Sequence, residues 1–210
     1  MKKDPASLVK LKLNAIIEAS VLNRNQYILN PEVDFTRQRK LGFKNLVEFI
    51  IKSGSSSIQN ELIEHFKLSK SLPTSAALCK QRKKLKPEYF EHIFRKFSVS
   101  FENNMKTMYG YRFIAVDGST FLCPRNPLET ETYHKIGNNR GFNKIHLNAC
   151  YDIINGIFTN CSIATSEKSH ERIEFVKMLN QYPNPEKCLF IADRGYESFN
   201  ILAHLVEKKS

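Results

Sequence analysis

The stretch KIHLNACYDIINGIFTNCSIAT, residues 144–165, runs in period two on both sides of an Asn-Gly pair. Ile145, Leu147, Ala149 and Tyr151 alternate with His146, Asn148 and Cys150, and Ile157, Thr159, Cys161 and Ile163 then repeat the pattern. Successive side chains of a strand point to opposite faces, so this spacing excludes a helix. Asn155-Gly156 suits the positive φ angles of a tight turn. The segment predicts an antiparallel hairpin, 144–154 against 157–165.

The flanks narrow the topology. Phe113 to Val116 is a short apolar strand, followed by an irregular stretch rich in Pro, Gly and Asn. Ser169 to Tyr182 has helical spacing, with Ile173, Val176 and Leu179 on the inward side. Cys188 to Ala192 predicts another strand, and from Ser198 a last helix places Ile201, Leu202, Leu205 and Val206 on one side. Strand, hairpin, helix, strand, helix is the opening of a ribonuclease-H-like mixed sheet. A helical crossover makes the first and last strands parallel neighbours.

Both of those strands stop on a carboxylate, in RFIAVDGST at Asp117 and in CLFIADRGYESFN at Asp193. Parallel neighbours would bring the two acids side by side. Bare carboxylates that close repel, and a shared cation or a proton relieves them. Mg²⁺ prefers such hard oxygen ligands, and paired ions serve phosphodiester chemistry. Taken singly, each aspartate also reads as a turn residue or a helix cap. Ser119 and Thr120 with His146 or His170 hint at a hydrolase, but no Gly-x-Ser-x-Gly elbow is present.

The first half is different in kind. Phe43, Leu46, Val47, Ile50 and Ile51 form one helical stripe, with Gly54 placed to end it in a left-handed turn. Ile58, Leu62 and Phe66 recur every fourth residue. Thr74 or Ser75 starts a further helix, and Pro87 closes it and opens the next, which buries Tyr89, Phe90, Ile93, Phe94 and Phe97. This half also holds the charge. Residues 1–112 carry 21 Lys and Arg against 10 Asp and Glu, a net of +11, whereas residues 113–210 carry 11 of each. A basic excess confined to one half marks a polyanion partner, nucleic acid being the commonest, or else a soluble basic surface. Lys80, Arg82, Lys83, Lys84 and Lys86 crowd into about two helical turns. They read either as a phosphate-contacting helix or as a solvated charged one.

Apolar content of 41% suffices for packed cores, and no run of about 18 apolar residues predicts a membrane span. The N-terminus has no apolar segment typical of a secretory signal. Five cysteines, odd in number and never two residues apart, fit reduced thiols in a cytoplasmic protein.

The stretches FIAVDGST, PRNP, GFNKIHLNACYDI and IADRGYES resemble bacterial DDE transposases, most nearly the insertion-sequence-four family. LPTSAALCKQRKKLKPEYFEHIF is similar to that family's N-terminal helical region. The resemblance runs from about residue 40 onward. It implies a basic helical DNA-binding region over 1–110 and an incomplete ribonuclease-H-like catalytic domain over 111–210. It implies Asp117 and Asp193 as catalytic acids that bind Mg²⁺, with Mn²⁺ as an alternative, and Arg194 as a cation able to steer a phosphate. Water would cut the end of an element, and the freed 3′ hydroxyl would attack target DNA. Double-stranded DNA is the implied partner, a nucleoid-associated location in the cytoplasm follows, and a homodimer is compatible. The family's third acid lies in a Tyr-x2-Arg-x3-Glu-x6-Lys signature. Tyr109 and Arg112 match its start, but Val116 stands where the glutamate belongs, and Glu197 and Glu207 lie too near Asp193 to replace it. The expectation is a truncated transposase, inactive by itself. The alternative is a non-catalytic DNA-binding protein that competes with intact transposase for element ends.

Overall fold

The computed structural model describes residues 5–67, 71–165, 171–182 and 184–207. They divide into two compact units, Met1–Ser100 and Phe101–Ser210.

The first unit is helical: α1 (Pro5–Leu22), α2 (Phe43–Lys52), α3 (Ile58–Phe66), α4 (Ser75–Arg82) and α5 (Glu88–Val99). Its core joins Ile17 and Ile28 to Phe43, Leu46, Val47, Leu62, Leu78, Tyr89 and Ile93. The stripe on α2 packs as its spacing predicts, and Phe49 is buried beside it. The end of α2 differs from expectation. Ser53 is extended (φ −61°, ψ 133°), its hydroxyl donates to the Phe49 carbonyl, and Gly54 has no left-handed φ. The Phe49 carbonyl thus accepts from both the amide and the hydroxyl of Ser53, so the helix end is satisfied without a left-handed residue. Thr74 caps α4 by accepting from the Ala77 amide at 3.1 Å.

Helix α4 stops at Arg82, well short of Pro87. Residues 83–86 leave the helix because backbone pairing to another segment offers them better partners. The Leu29 amide donates to the Lys84 carbonyl and the Lys86 amide to the Tyr27 carbonyl, each at 2.9 Å, around an Ile28–Leu85 bridge.

The second unit is a mixed sheet with two helices: β1 (Arg112–Cys123), β2 (Tyr133–His134), β3 (Phe142–Asp152), β4 (Ile157–Ala164), α6 (Glu171–Asn180), β5 (Cys188–Ile191) and α7 (Phe199–Glu207). Strand β3 pairs antiparallel with β1, β2 and β4, and β1 pairs parallel with β5. This is the expected ribonuclease-H-like arrangement. The hairpin loop is longer than a two-residue turn. Asp152 pairs with Ile157, and within residues 153–156 only Gly156 has positive φ (66°).

Three other expectations need correction. Strand β1 runs past Asp117 to Cys123, because its ladder with β3 continues to Cys123–Asn143. Ile173 of α6 is exposed, and Glu174, Phe175, Met178 and Leu179 are the residues buried. On α7, Ile201 is buried and Leu205 packs on the core, while Leu202 and Val206 face outward.

The core of this unit lies between the sheet and its helices, from Ile114, Val116 and Cys150 to Phe175, Met178, Tyr182, Tyr196 and Ile201. The covered face also carries polar side chains: Asn148, Asp152 and Asn160 are buried. The other face carries Tyr151, Phe158, Ile163, Leu189 and Ile191, all exposed.

Candidate active site

The parallel ladder of β1 and β5 ends at Ala115–Ile191. Asp117 lies two residues beyond Ala115, and Asp193 two residues beyond Ile191. Side chains two apart share a face of a strand, so the register sets both aspartates one step past the same rung. The chain parts company there. β1 continues along β3, with Asp117 opposite Ala149, whereas β5 breaks into a short 3-10 turn, Arg194–Tyr196.

Each carboxylate is exposed and oriented by a glycine amide: Gly118 N–H donates to Asp117 Oδ1 and Gly195 N–H to Asp193 Oδ1, both at 2.8 Å. No other hydrogen bond to either carboxylate occurs among the described residues. Two hard carboxylates, each with one oxygen held, are a donor set that suits Mg²⁺ or Mn²⁺. Among the described residues, no three His, Cys, Asp or Glu side chains are grouped so as to hold a metal ion. Asp117 and Asp193 are the two carboxylates just beyond the end of the parallel ladder that could hold such a cation.

The surroundings contain groups the spacing of residues did not single out. Glu171, at the start of α6, lies against Gly118, and Arg172 Nε donates to the Gly195 carbonyl at 2.6 Å. The first turn of α6 thus touches the residue after Asp117 and the loop after Asp193. Tyr196 is buried beneath them. Burial first, and then the negative charges of Glu171, Asp117 and Asp193, push its hydroxyl far above the ordinary phenol value. Beside this lies an open cleft of about 950 Å³, bordered by Thr120, Lys144, His146, Glu171, Arg172 and Ser198 among others. From the sequence, His146 stands out as an alternating hairpin position and as part of a hydrolase hint. His170 lies outside the described residues.

Cys150 is fully buried, and burial pushes its thiol up to about 12.

The basic cluster is dispersed. Lys80 and Arg82 sit in the last turn of α4, Lys83 caps it, and Lys84 and Lys86 lie beyond it. Lys84 Nζ is 3.0 Å from Asp34 Oδ1, which is buried, and Lys86 Nζ donates to the Gln26 carbonyl at 3.0 Å. Lys84 and Lys86 thus lie beyond the helix, each with a partner within the first unit. Arg194 is in the turn that follows Asp193.

A family model described as "Transposase DDE domain" matches residues 108–210. No curated protein and no solved structure matches the chain. The match falls on the second unit, with its mixed sheet and one parallel pair, and a helical region precedes it. No helix among the described residues is long and apolar enough to cross a membrane.

Proposed function

We propose that this chain is a DNA transposase of the insertion-sequence-four type, in which Asp117 and Asp193 share a divalent cation. What supports the reading is one observation: the β1–β5 register ends two residues before each aspartate. A cation bound there would activate an attacking oxygen and stabilise a leaving one in phosphodiester cleavage and strand transfer. The residues of the chain itself do the positioning. The amides of Gly118 and Gly195 orient the carboxylates, and Arg194 follows Asp193 where a phosphate would approach. The first unit is the DNA-binding region, with Lys80, Arg82 and Lys83 as its phosphate contacts, in the nucleoid of a bacterial cytoplasm.

The third acid of the family has no counterpart at its signature spacing in these 210 residues. Losing one ligand displaces the reacting atoms, and small displacements cost large factors in rate. These 210 residues by themselves would therefore cut terminal inverted repeats negligibly. Titration calorimetry tests the site: Asp117→Asn and Asp193→Asn each weaken Mn²⁺ binding, and affinities equal to wild type would refute it.

A second reading is favoured by the charge distribution. Residues 1–100 hold 19 Lys and Arg against 9 Asp and Glu, so 19 − 9 = +10. A protein that binds element ends without cutting them needs only that half. Competition between this chain and an intact transposase for end DNA, with both Asp→Asn variants competing as well as wild type, is its expected signature.

A further inference from the structure

The face of β1 and β3 that meets α6 carries a polar cluster that the carboxylate pair does not use. Thr120 pairs with His146 across the ladder, and Gly118 with Asn148. A Cβ placed on Gly118 would stand 2.6 Å from Glu171 Oε1, 2.6 Å from His146 Nε2 and 3.1 Å from Asn148 Oδ1. Three donor atoms from β3 and α6 therefore converge on Gly118, packed so closely that only glycine fits there.

Two of these groups have unmet polar demand. Asn148 is 0% exposed, and among the described residues neither its Oδ1 nor its Nδ2 has a hydrogen-bond partner. His146 Nε2 is also buried without one, although it lies 3.1 Å from Glu171 Oε1. A buried amide left unpaired is costly, so this pattern asks for a partner. The hydroxyl of Tyr196, similarly unpaired, is close enough to feel the charge of Glu171.

The spacing fits a metal ion. Bonds of about 2.1 Å at right angles put neighbouring donors about 3 Å apart. The separation between His146 Nε2 and Glu171 Oε1 is of that size. The imidazole is braced by Thr120 Oγ1, which lies 3.1 Å from Nδ1. With Nδ1–H donated to that hydroxyl, Nε2 keeps the lone pair a ligand needs. One carboxylate oxygen, one imidazole nitrogen and one amide oxygen suit a first-row divalent ion better than Mg²⁺. The cleft bordered by Thr120, His146, Glu171 and Arg172 gives such an ion a way in.

We propose that His146, Glu171 and Asn148 form a divalent-cation site of mixed nitrogen and oxygen donors, for an ion of the Mn²⁺ type. It lies beside the Asp117–Asp193 position, and either assignment stands without the other.

The test uses Mn²⁺ and the full chain, followed by electron spin-echo modulation and by titration. Wild-type protein shows modulation from one imidazole nitrogen on bound Mn²⁺. His146→Gln abolishes that modulation. Glu171→Gln weakens the nitrogen-coupled binding about tenfold or more. Gly118→Ala, whose Cβ would push these three groups aside, does the same. Asp193→Asn retains the nitrogen signal while losing a second, oxygen-only Mn²⁺. Absence of nitrogen coupling in wild type, or its survival in His146→Gln, overturns the proposal. Loss of the nitrogen signal in Asp193→Asn also overturns it, because the ion would then belong to the aspartate pair. A nitrogen signal that depends on His146, with no binding that depends on either aspartate, upholds this site and removes the other. Glu171 and His146 are partly exposed on the cleft, and unchanged near-ultraviolet circular dichroism identifies variants that remain folded.

Discussion

Asp152 is fully buried at the end of β3, and Arg112 Nε donates to its Oδ2 at 2.8 Å. The Asn155 amide donates to the other oxygen at 3.0 Å, so this one carboxylate fixes both the start of β1 and the β3–β4 loop. Removing one partner of such a pair strands a charge. Arg112→Met is expected to cost about 3–5 kcal/mol in urea unfolding, with much of it recovered in Arg112→Met/Asp152→Leu. Gly118→Ala tests a different term. Its Cβ would stand 2.6 Å from two side-chain atoms, and overpacking of this kind costs about 1–3 kcal/mol. Asp34 gives a pH dependence. Burial opposes its charge, but hydrogen bonds from Lys84 and Asn30 and the charge of Lys84 outweigh it and hold the carboxyl below its ordinary 3.8. A depressed folded value means that its stabilisation is complete above the unfolded value. That stabilisation is lost as pH falls through the folded one. Urea midpoints measured downward from pH 6 should therefore fall in acid, and Lys84→Met should flatten that part of the profile.

At the level of elements, helix α4 is short and depends on its cap. Thr74→Ala is expected to cost about 1 kcal/mol in the same unfolding assay. The strands and helices were legible because period and turn chemistry act locally, as residues 144–165 show. What escaped was decided by partners distant in sequence. Asp117 reads as a strand end because Gly118 follows it, yet the β3 ladder carries β1 on for six more residues, to Cys123. Lys83 to Lys86 continue a helical spacing, yet pairing with residues 27–29 draws them away. Alternation also does not say which face of a strand is covered. In β3 the covered side holds Asn148, Cys150 and Asp152, while Tyr151 is on the open one. The aspartates could be named from their flanking residues. Glu171, His146 and Asn148 could not, because only the crossing of α6 over β3 brings them together.

For the molecule as a whole, the basic excess belongs to residues 1–100, and the transposase DDE domain belongs to residues 108–210. Binding to duplex DNA should weaken steeply between about 50 and 200 mM salt, as counterion release requires. A flat response in fluorescence anisotropy would remove the nucleic-acid partner. One face of the sheet exposes Tyr151, Phe158 and Ile191. It should bind a hydrophobic dye in the folded state, and Phe158→Ser should lower that fluorescence. The central claim is that Asp117 and Asp193 hold one cation between them. Iron-mediated backbone scission tests this most directly, with Fe²⁺ and ascorbate replacing Mg²⁺ in the folded chain. The account predicts a cut beside residue 193 that Mg²⁺ suppresses and that Asp117→Asn abolishes. A cut beside residue 193 that survives Asp117→Asn at full strength would contradict it.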